Sequence, residues 1–154
     1  MRLDVGDQAP FFSQTDDAQN TVTLEDYAGR RLLIYFYPKA FTSGCTGESC
    51  DFRDRYELFL AGGYEILGVS PDTPEKLADF RTEYTLPFSL LSDPEHTMAS
   101  AYGAWGIKVN YGREYEGLIR STFEIAADGT ISAAWYNVRA KGHAARIQRE
   151  VLDG

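Results

Sequence analysis

The stretch that decides the fold is "RLLIYFYPKAFTSGCTGESCDFRDRYELFLAGGYEILGVS", residues 31–70. Its two ends, residues 31–37 and 64–70, are short apolar runs of the kind found in buried central strands. Residues 45–60 between them carry a helical pattern of apolar side chains. Two strands joined by a helix form a βαβ unit, in which the strands are parallel and the crossover is right-handed. We therefore predict an α/β fold built around this unit.

The rest of the chain is predicted to add strands and helices to this unit. A second helix should follow Thr73, a suitable N-cap, with Pro74 at its first position. Asp128 and Gly129 form a two-residue turn signal between strand-like runs and predict a β-hairpin over residues 119–138. Shorter segments complete the prediction, namely an edge strand or turn at residues 21–29, a strand at 88–93, and helices at 96–105 and 142–152.

The composition indicates one domain that comprises residues 1–154. With 44% hydrophobic residues, the chain can bury a sizeable core. Its formal net charge of -8 at pH 7 argues against binding to nucleic acid, which usually requires a basic surface. No apolar run approaches the roughly 20 residues of a membrane span, and residues 1–12 do not resemble a secretory signal. We therefore expect a cytoplasmic protein, in which reducing conditions keep thiols free.

The two cysteines, Cys45 and Cys50, both lie in the predicted first helix. The apolar stripe of that helix consists of Phe52, Tyr56, Phe59 and Leu60. At about 100° per residue, Cys45 lies near the middle of this stripe, whereas Cys50 lies about 140° away from Cys45. Cys50 therefore shares the polar side of the helix with Asp54 and Glu57. One thiol is expected to face the core and the other to face outward.

A disulfide between these cysteines is not compatible with an intact helix. Five residues rise about 7.5 Å along the axis, so the two Cα atoms are roughly 8.6 Å apart. A disulfide requires Cα atoms within about 7 Å of each other, so the first turns would have to unwind before the sulfurs could bond. The alternatives are a static staple, which closes too small a loop to stabilise much, and two inert core thiols, for which Cys50 is badly placed.

Two other kinds of cysteine site fit the sequence less well. Two thiols supply only half of a tetrahedral zinc shell, and His96 and His143 show no ligand spacing relative to each other or to the cysteines. A thioredoxin-type reductase uses C-x-x-C, whereas the spacing here is C-x-x-x-x-C. We therefore predict neither a metal nor another cofactor.

The residues around Cys45 resemble a known active-site motif. Pro38, Thr42 and Cys45 stand as P-x-x-x-T-x-x-C, which resembles the motif of the peroxiredoxins. The wider stretch "FYPKAFTSGCTGESCDFRD", residues 36–54, is similar to the Q-type branch, also called bacterioferritin comigratory protein, which places a second cysteine five residues after the first. Further similarity covers nearly the whole chain, at "GDQAPFF", "LGVSPD", "LLSD" and "RSTFEI". The departures are small, since "AFT" and "SGC" stand where many relatives have Asp-Asn-Thr and Pro-Gly-Cys.

The resemblance implies a thioredoxin-like fold, with a central mixed β-sheet flanked by helices and an N-terminal extension. It implies a thiol peroxidase that reduces hydrogen peroxide and organic hydroperoxides with electrons from thioredoxin or a similar dithiol protein. By position, Cys45 matches the cysteine that attacks the peroxide, and Cys50 matches the one that resolves the product as an intramolecular disulfide. Pro38, Thr42 and Arg120 match the rest of the site. The branch often works as a monomer, because both thiols lie in one chain.

The chemistry of a thiol explains why a cation is expected beside Cys45. The thiolate is the nucleophile, and an ordinary cysteine with a pKa near 8.5 is only about 3% ionised at about pH 7. A helix N-terminus supplies about 0.3–1 kcal/mol, whereas a charge-assisted hydrogen bond adds about 1.5–3 kcal/mol. Arg120 is the candidate donor because arginine stays charged; the alternative is a surface salt bridge. Glu48 either joins the hydrogen bonds near Cys45 or is an ordinary acidic residue of the first turns.

The peroxide is expected to bind at Thr42, Gly44, Cys45 and Arg120. The Thr42 hydroxyl can accept from and donate to the peroxide, while Arg120 and the backbone N–H groups near Gly44 stabilise the peroxide oxygens. Pro38 either makes the loop rigid and shields the thiolate from water, or simply ends the strand.

Two other functions would use the same cysteines. A redox sensor would use the disulfide to alter binding to a partner, although the sequence contains no separate partner surface. A disulfide oxidoreductase would act on protein disulfides, for which the C-x-x-x-x-C spacing is unsuitable. Steady-state turnover of peroxide with a thiol reductant separates a peroxidase from both.

Overall fold

The computed structural model describes residues 2–153, except for the side chain of residue 110. Within these residues the strands are β1 (Ser13–Asp16), β2 (Thr21–Thr23), β3 (Arg31–Phe36), β4 (Tyr64–Ser70), β5 (Leu90–Ser92), β6 (Trp105–Asn110), β7 (Arg113–Leu118), β8 (Ser121–Ile125) and β9 (Ile131–Trp135). Seven of them form a central sheet in the spatial order β2-β1-β5-β4-β3-β8-β9. The strands β6 and β7 form a separate hairpin.

The central sheet is mixed, as predicted. Strand β3 pairs in parallel with β4, and β4 pairs in parallel with β5, as the βαβ prediction requires. Strands β1 and β8 join this parallel centre in the antiparallel direction. The predicted hairpin is confirmed, because β8 and β9 pair antiparallel on either side of Asp128 and Gly129.

The helices of the described chain are α1 (Ser43–Ala61), α2 (Pro74–Tyr84), α3 (Thr97–Ala101) and α4 (His143–Val151). Helix α1 begins two residues earlier than predicted, and a 3-10 turn (Leu24–Tyr27) follows the edge strand β2. The predicted cap of α2 is confirmed, since the Thr73 hydroxyl accepts from the backbone N of Lys76 at 3.3 Å. Across residues 2–153, no helix has both the length and the apolar character needed to span a membrane.

Strand β3 organises the core because both of its faces are buried. Leu32, Ile34 and Phe36 belong to the core on one face of the sheet, and the intervening Leu33 and Tyr35 belong to the core on the other face. Helices α1, α2 and α4 contribute to the second core, while α3 and the N-terminal segment contribute to the first. This double burial explains why residues 31–37 form a continuous apolar run rather than an alternating one.

Strand β1 and the hairpin of β6 and β7 are not predicted from the sequence. Ile107 and Val109 belong to an alternating apolar pattern over residues 105–110, but they are 62% and 68% exposed and so do not pack against the core. The turn residues Tyr111 and Gly112 both have positive φ angles, 53° and 74°, as in the type I′ turn of tight hairpins. The alternating pattern and Gly112 are therefore local signals for this hairpin that the prediction above leaves out.

The predicted apolar stripe of α1 is wrong at Leu60. Phe52 and Phe59 are fully buried, but Leu60 is 41% exposed. Phe59 lies about 20° around the helix axis from Phe52, whereas Leu60 lies about 80° from it. The sheet therefore covers a narrower face of α1 than the sequence pattern indicates.

We expect neighbouring alanine substitutions on α1 to differ strongly in their effect on stability. Phe59→Ala should lower the free energy of unfolding by about 3–5 kcal/mol, because it leaves a cavity in a packed core. Leu60→Ala, the matched control, should change it by less than about 1 kcal/mol. Chemical denaturation of both variants measures the difference, and equal losses would contradict the observed orientation of α1.

Candidate active site

The candidate site lies where β3 ends and α1 begins. Residues 37–42 form an irregular loop between these elements. Thr42 is the N-cap residue of α1, and Cys45 is the third residue of the helix. The Cys45 side chain is 1% exposed, so its sulfur faces the core as predicted. The backbone N–H groups of the first residues of a helix have no partner within the helix and point at whatever lies before it.

The sheet register brings Arg120 to the same place. Strands β3 and β8 pair with Phe36 opposite Ser121, so the start of β8 lies beside the end of β3. Arg120 immediately precedes β8, and its carbonyl accepts from the backbone N of Val138 at 3.0 Å. Its position next to the loop thus follows from strand pairing.

The guanidinium of Arg120 bridges two side chains of α1. Its Nη2 donates a hydrogen bond to the Sγ of Cys45 at 3.2 Å, and its Nη1 donates to Oε1 of Glu48. Burial opposes the charge of Arg120, but Glu48 and Cys45 outweigh this effect and raise the pKa of Arg120. A permanent cation therefore lies within hydrogen-bonding distance of the sulfur.

Glu48 is a fully buried carboxyl group, so it is not an ordinary surface residue of the first turns. Burial raises the pKa of Glu48 to about 7, although its ion pair with Arg120 opposes the rise. Among the described residues its Oε2 has no hydrogen-bond partner. Glu48 thus fixes the orientation of Arg120 at an electrostatic cost to the folded state.

The remaining predicted residues lie at the start of α1 and in the loop before it. Gly44 lies against the guanidinium, since a Cβ atom built on it would lie 3.7 Å from Nη2 of Arg120. Thr42 is exposed, and its hydroxyl donates to the carbonyl of Lys39 at 2.8 Å. The Thr42 oxygen is thereby left as an acceptor, which narrows the predicted role of this hydroxyl as both donor and acceptor. Pro38 is half-buried in the same loop.

Cys50 lies farther along α1, away from this cluster. Both cysteines are free, and Cys50 is partly buried rather than fully exposed. Burial raises the pKa of the Cys50 thiol, while the guanidinium of Arg53 opposes that rise. The Cys50 thiol therefore stays largely protonated while α1 is folded.

The first turns of α1 are less firmly held than the rest of the helix. Gly44 and Gly47 both lie there, and glycine within a helix is less stable than alanine by about 1 kcal/mol. The side chain of Thr42 makes no capping hydrogen bond to the helix. Farther along the helix, the hydroxyl groups of Ser49 and Tyr35 form a hydrogen bond, with 2.8 Å between their oxygens. The segment that contains Cys45 therefore has a lower helix preference and fewer capping bonds than the turns that follow it.

The two histidines have structural contacts instead of roles at the sulfur. His143 is buried, with its Nε2 2.7 Å from the Thr122 hydroxyl, and burial followed by the charges of Arg146 and Arg120 lowers its pKa to about 4. The His96 ring stacks on Trp105. Within residues 2–153, no group of three or more His, Cys, Asp or Glu side chains is arranged to hold a metal ion.

Comparisons with known proteins agree with this arrangement. The AhpC/TSA family matches residues 5–134. Peroxiredoxin Bcp of Bacillus subtilis is 43% identical over 153 residues, which are 99% of this chain and 98% of that protein. The chain belongs to the peroxiredoxin family. A Mycobacterium tuberculosis relative with a provisional peroxiredoxin name is 50% identical over 150 residues, 97% of this chain and 96% of that protein.

Solved structures also agree with the Q-type branch. The bacterioferritin comigratory protein of Xanthomonas campestris has a TM-score of 0.89 with this chain, at 32% identity, and the match covers 96% of this chain and 97% of that one. These matches confirm the predicted family branch and the thioredoxin-like fold with its central mixed sheet. They also confirm that this peroxiredoxin is a thiol peroxidase.

The raised pKa of Glu48 predicts how the stability of this peroxiredoxin depends on pH. A carboxyl group whose pKa rises on folding stabilises the protein fully at pH values below its pKa in the unfolded chain. That contribution is lost as the pH rises through its pKa in the folded protein. The free energy of unfolding of the wild type relative to Glu48→Gln should therefore fall between pH 4.5 and about 7. We expect a fall on the order of 1–3 kcal/mol, measured by urea denaturation across this range.

Glu57→Gln is the matched control, because Glu57 is an exposed carboxyl group on the same helix. Its stability relative to the wild type should not change over the same pH range. A wild-type advantage over Glu48→Gln that grows with pH would contradict the burial of an ionisable group at this position.

Proposed function

We propose that the thiolate of Cys45 attacks the terminal oxygen of a hydroperoxide. A new S–O bond forms as the peroxide O–O bond breaks, and the leaving oxygen takes up a proton to become water or an alcohol. Cys45 is oxidised to a sulfenic acid, and the peroxide is reduced by two electrons. The observation that carries this proposal is the hydrogen bond of 3.2 Å from Arg120 Nη2 to Cys45 Sγ.

Arg120 is proposed to act on the transition state as well as on the thiolate. Complete ionisation of a thiol that is about 3% ionised gains only about 30-fold in rate. A larger acceleration has to come from stabilising the charge that develops on the leaving oxygen. The Arg120 guanidinium and the free N–H groups at Gly44 and Cys45 are donors fixed beside the sulfur before the peroxide arrives, which supports this role.

Thr42 is proposed to orient the peroxide. Its hydroxyl donates to the Lys39 carbonyl, so the Thr42 oxygen presents lone pairs outward. A hydroperoxide carries one O–H donor, which Thr42 can accept while Arg120 donates to the peroxide oxygens. Pro38, which has no N–H group to donate, is proposed to keep the neighbouring loop rigid and to shield the thiolate from water.

The second step is proposed to join Cys45 and Cys50. The Cys50 thiol attacks the sulfenic sulfur, an S–S bond forms, and the sulfenic oxygen leaves as water. Oxidation removes the negative charge from Cys45, so the charge-assisted bond to Arg120 weakens. This loss, together with Gly44 and Gly47 in the same turns, favours unwinding of the start of α1. Unwinding also exposes the Cys50 thiol, whose raised pKa then returns toward its ordinary value.

Recycling is proposed to use thioredoxin or a similar dithiol protein, which reduces the exposed disulfide by thiol exchange. Organic hydroperoxides are proposed as substrates together with hydrogen peroxide, since alkyl peroxide reduction is the activity named for the Xanthomonas campestris relative. Because both cysteines lie in one chain, we propose that a monomer in the cytoplasm completes the cycle.

Cys45→Ser should abolish peroxide consumption, because serine has no thiolate to attack the peroxide. The measurement is the consumption of hydrogen peroxide by the reduced protein with a thiol reductant present. Cys50→Ser serves as the control, since it keeps the Cys45 thiolate and should still consume at least one equivalent. Retention of full activity by Cys45→Ser would refute the assignment of the nucleophile.

Cys50→Ser should complete the first turnover at the wild-type rate but should not be recycled by thioredoxin. The reason is that its sulfenic acid finds no second thiol within the chain. Mass spectrometry after one equivalent of peroxide should detect an internal Cys45–Cys50 link in the wild type and a sulfenic acid or its derivative in the variant. Normal cycling of Cys50→Ser with thioredoxin would exclude Cys50 as the resolving thiol.

A further inference from the structure

Asp72 lies outside the predicted site but is bonded to the loop that carries it. Asp72 belongs to the turn between β4 and α2, and its side chain is 8% exposed. Its Oδ2 accepts hydrogen bonds from the backbone N of Ala40 at 2.7 Å and from Oγ of Ser70 at 2.8 Å. Its Oδ1 lies 3.3 Å from Nζ of Lys76. A nearly buried carboxylate is therefore tied to the backbone of the active-site loop.

The loop of residues 37–42 has no regular secondary structure, so its conformation depends on bonds to its neighbours. At its start, the backbone N of Tyr37 donates to the carbonyl of Val69 at 3.0 Å. In its middle, the backbone N of Ala40 donates to Asp72. Both acceptors lie at the end of β4 or in the turn that follows it. The backbone of the loop is therefore hydrogen-bonded to this part of the molecule.

The residue after Ala40 is strained. Phe41 has a φ angle of 69°, in the left-handed region that bulky side chains rarely adopt. Such a conformation persists only where the surrounding structure fixes it. The Phe41 ring packs against Phe80 and Tyr84 of α2, with centroid distances of 5.1 Å and 6.2 Å. The strained Phe41 therefore lies between Ala40, which is bonded to Asp72, and the start of α1.

We propose that Asp72 is a positioning residue for peroxide reduction, which holds Thr42 in place through the backbone of Ala40. This inference rests on the proposed function of Cys45 and Thr42. Asp72 makes no hydrogen bond to Cys45 or Arg120 among the described residues, so it acts on the loop and leaves the environment of the sulfur unchanged. Its loss should therefore slow the reaction with peroxide more than a reaction that needs only the thiolate.

Two rate constants of the reduced full-length protein separate these effects. One is the second-order rate constant with hydrogen peroxide, followed by stopped-flow tryptophan fluorescence, and the other is the rate constant of alkylation by iodoacetamide. Asp72→Ala should lower the first by about 10- to 100-fold, the size expected when a group that contacts the substrate is displaced by about 1 Å. The second should change by less than about 3-fold, because alkylation does not use Thr42.

Asp72→Asn and Lys76→Ala are the matched controls. Asparagine keeps an oxygen that can accept from Ala40, so Asp72→Asn should recover most of the rate with peroxide but remain a few-fold slower than the wild type. Lys76→Ala removes the ion pair of Asp72 but not its bond to the loop, and should react at the wild-type rate. If Asp72→Ala does not fold, the test is the rate constant with peroxide of Asp72→Asn, which should be lower than that of Lys76→Ala.

Three outcomes would overturn the proposal. The first is a wild-type rate with peroxide for Asp72→Ala. The second is an equal fall in both rate constants, which would indicate a general structural role. The third applies when Asp72→Ala is unfolded, and it is an equal rate constant with peroxide for Asp72→Asn and Lys76→Ala. A wild-type protein that is alkylated at Cys45 but does not react with peroxide would instead refute the proposed function itself.

Discussion

The bridge that Arg120 forms between Cys45 and Glu48 is the interaction on which the site depends. It connects groups 75 residues apart in the sequence, and it places a permanent cation against a buried sulfur. The same cation is paired with the buried carboxyl group of Glu48, which would have no ionic partner without it. The bridge exists because β3 and β8 are neighbours in the sheet, so the residue before β8 meets the first turns of the helix that follows β3.

The first turns and the later turns of the same helix are held by different contacts. Phe52 and Phe59 are buried in the core, and Ser49 is bonded to Tyr35, so the later turns are well anchored. The first turns contain Gly44 and Gly47 and lack a side-chain cap. The hydrogen bonds of Cys45 and Glu48 to Arg120 are therefore the side-chain bonds that hold this segment to the start of β8. Under the proposed mechanism, oxidation of Cys45 weakens one of these bonds and so favours the opening that the second step requires.

The elements that the sequence predicts well are those whose local signals agree with their burial. The run at residues 31–37, the cap at Thr73 and the turn at Asp128 each combine a local preference with a position in the core or at its edge. The elements that are missed or misjudged lack that agreement. Ile107 and Val109 form a strand away from the core, and Leu60 continues an apolar pattern beyond the face that the sheet covers. Local preference cannot report which side of an element finds a partner.

The sequence by itself determined the parallel βαβ centre, the two cysteines on one helix and the need for that helix to open before they can bond. These follow from chain-local quantities, namely hydrophobic period, helix geometry and residue spacing. The tertiary structure decided the orientation of Arg120 by Glu48, the commitment of the Thr42 hydroxyl proton to Lys39, and the attachment of the loop to Asp72. The contacts at Arg120 and Asp72 depend on strand order and register, which bring residues 32 to 75 positions apart into contact, and the bond from Thr42 depends on the fold of an irregular loop. Spacing along the chain carries no information about those distances.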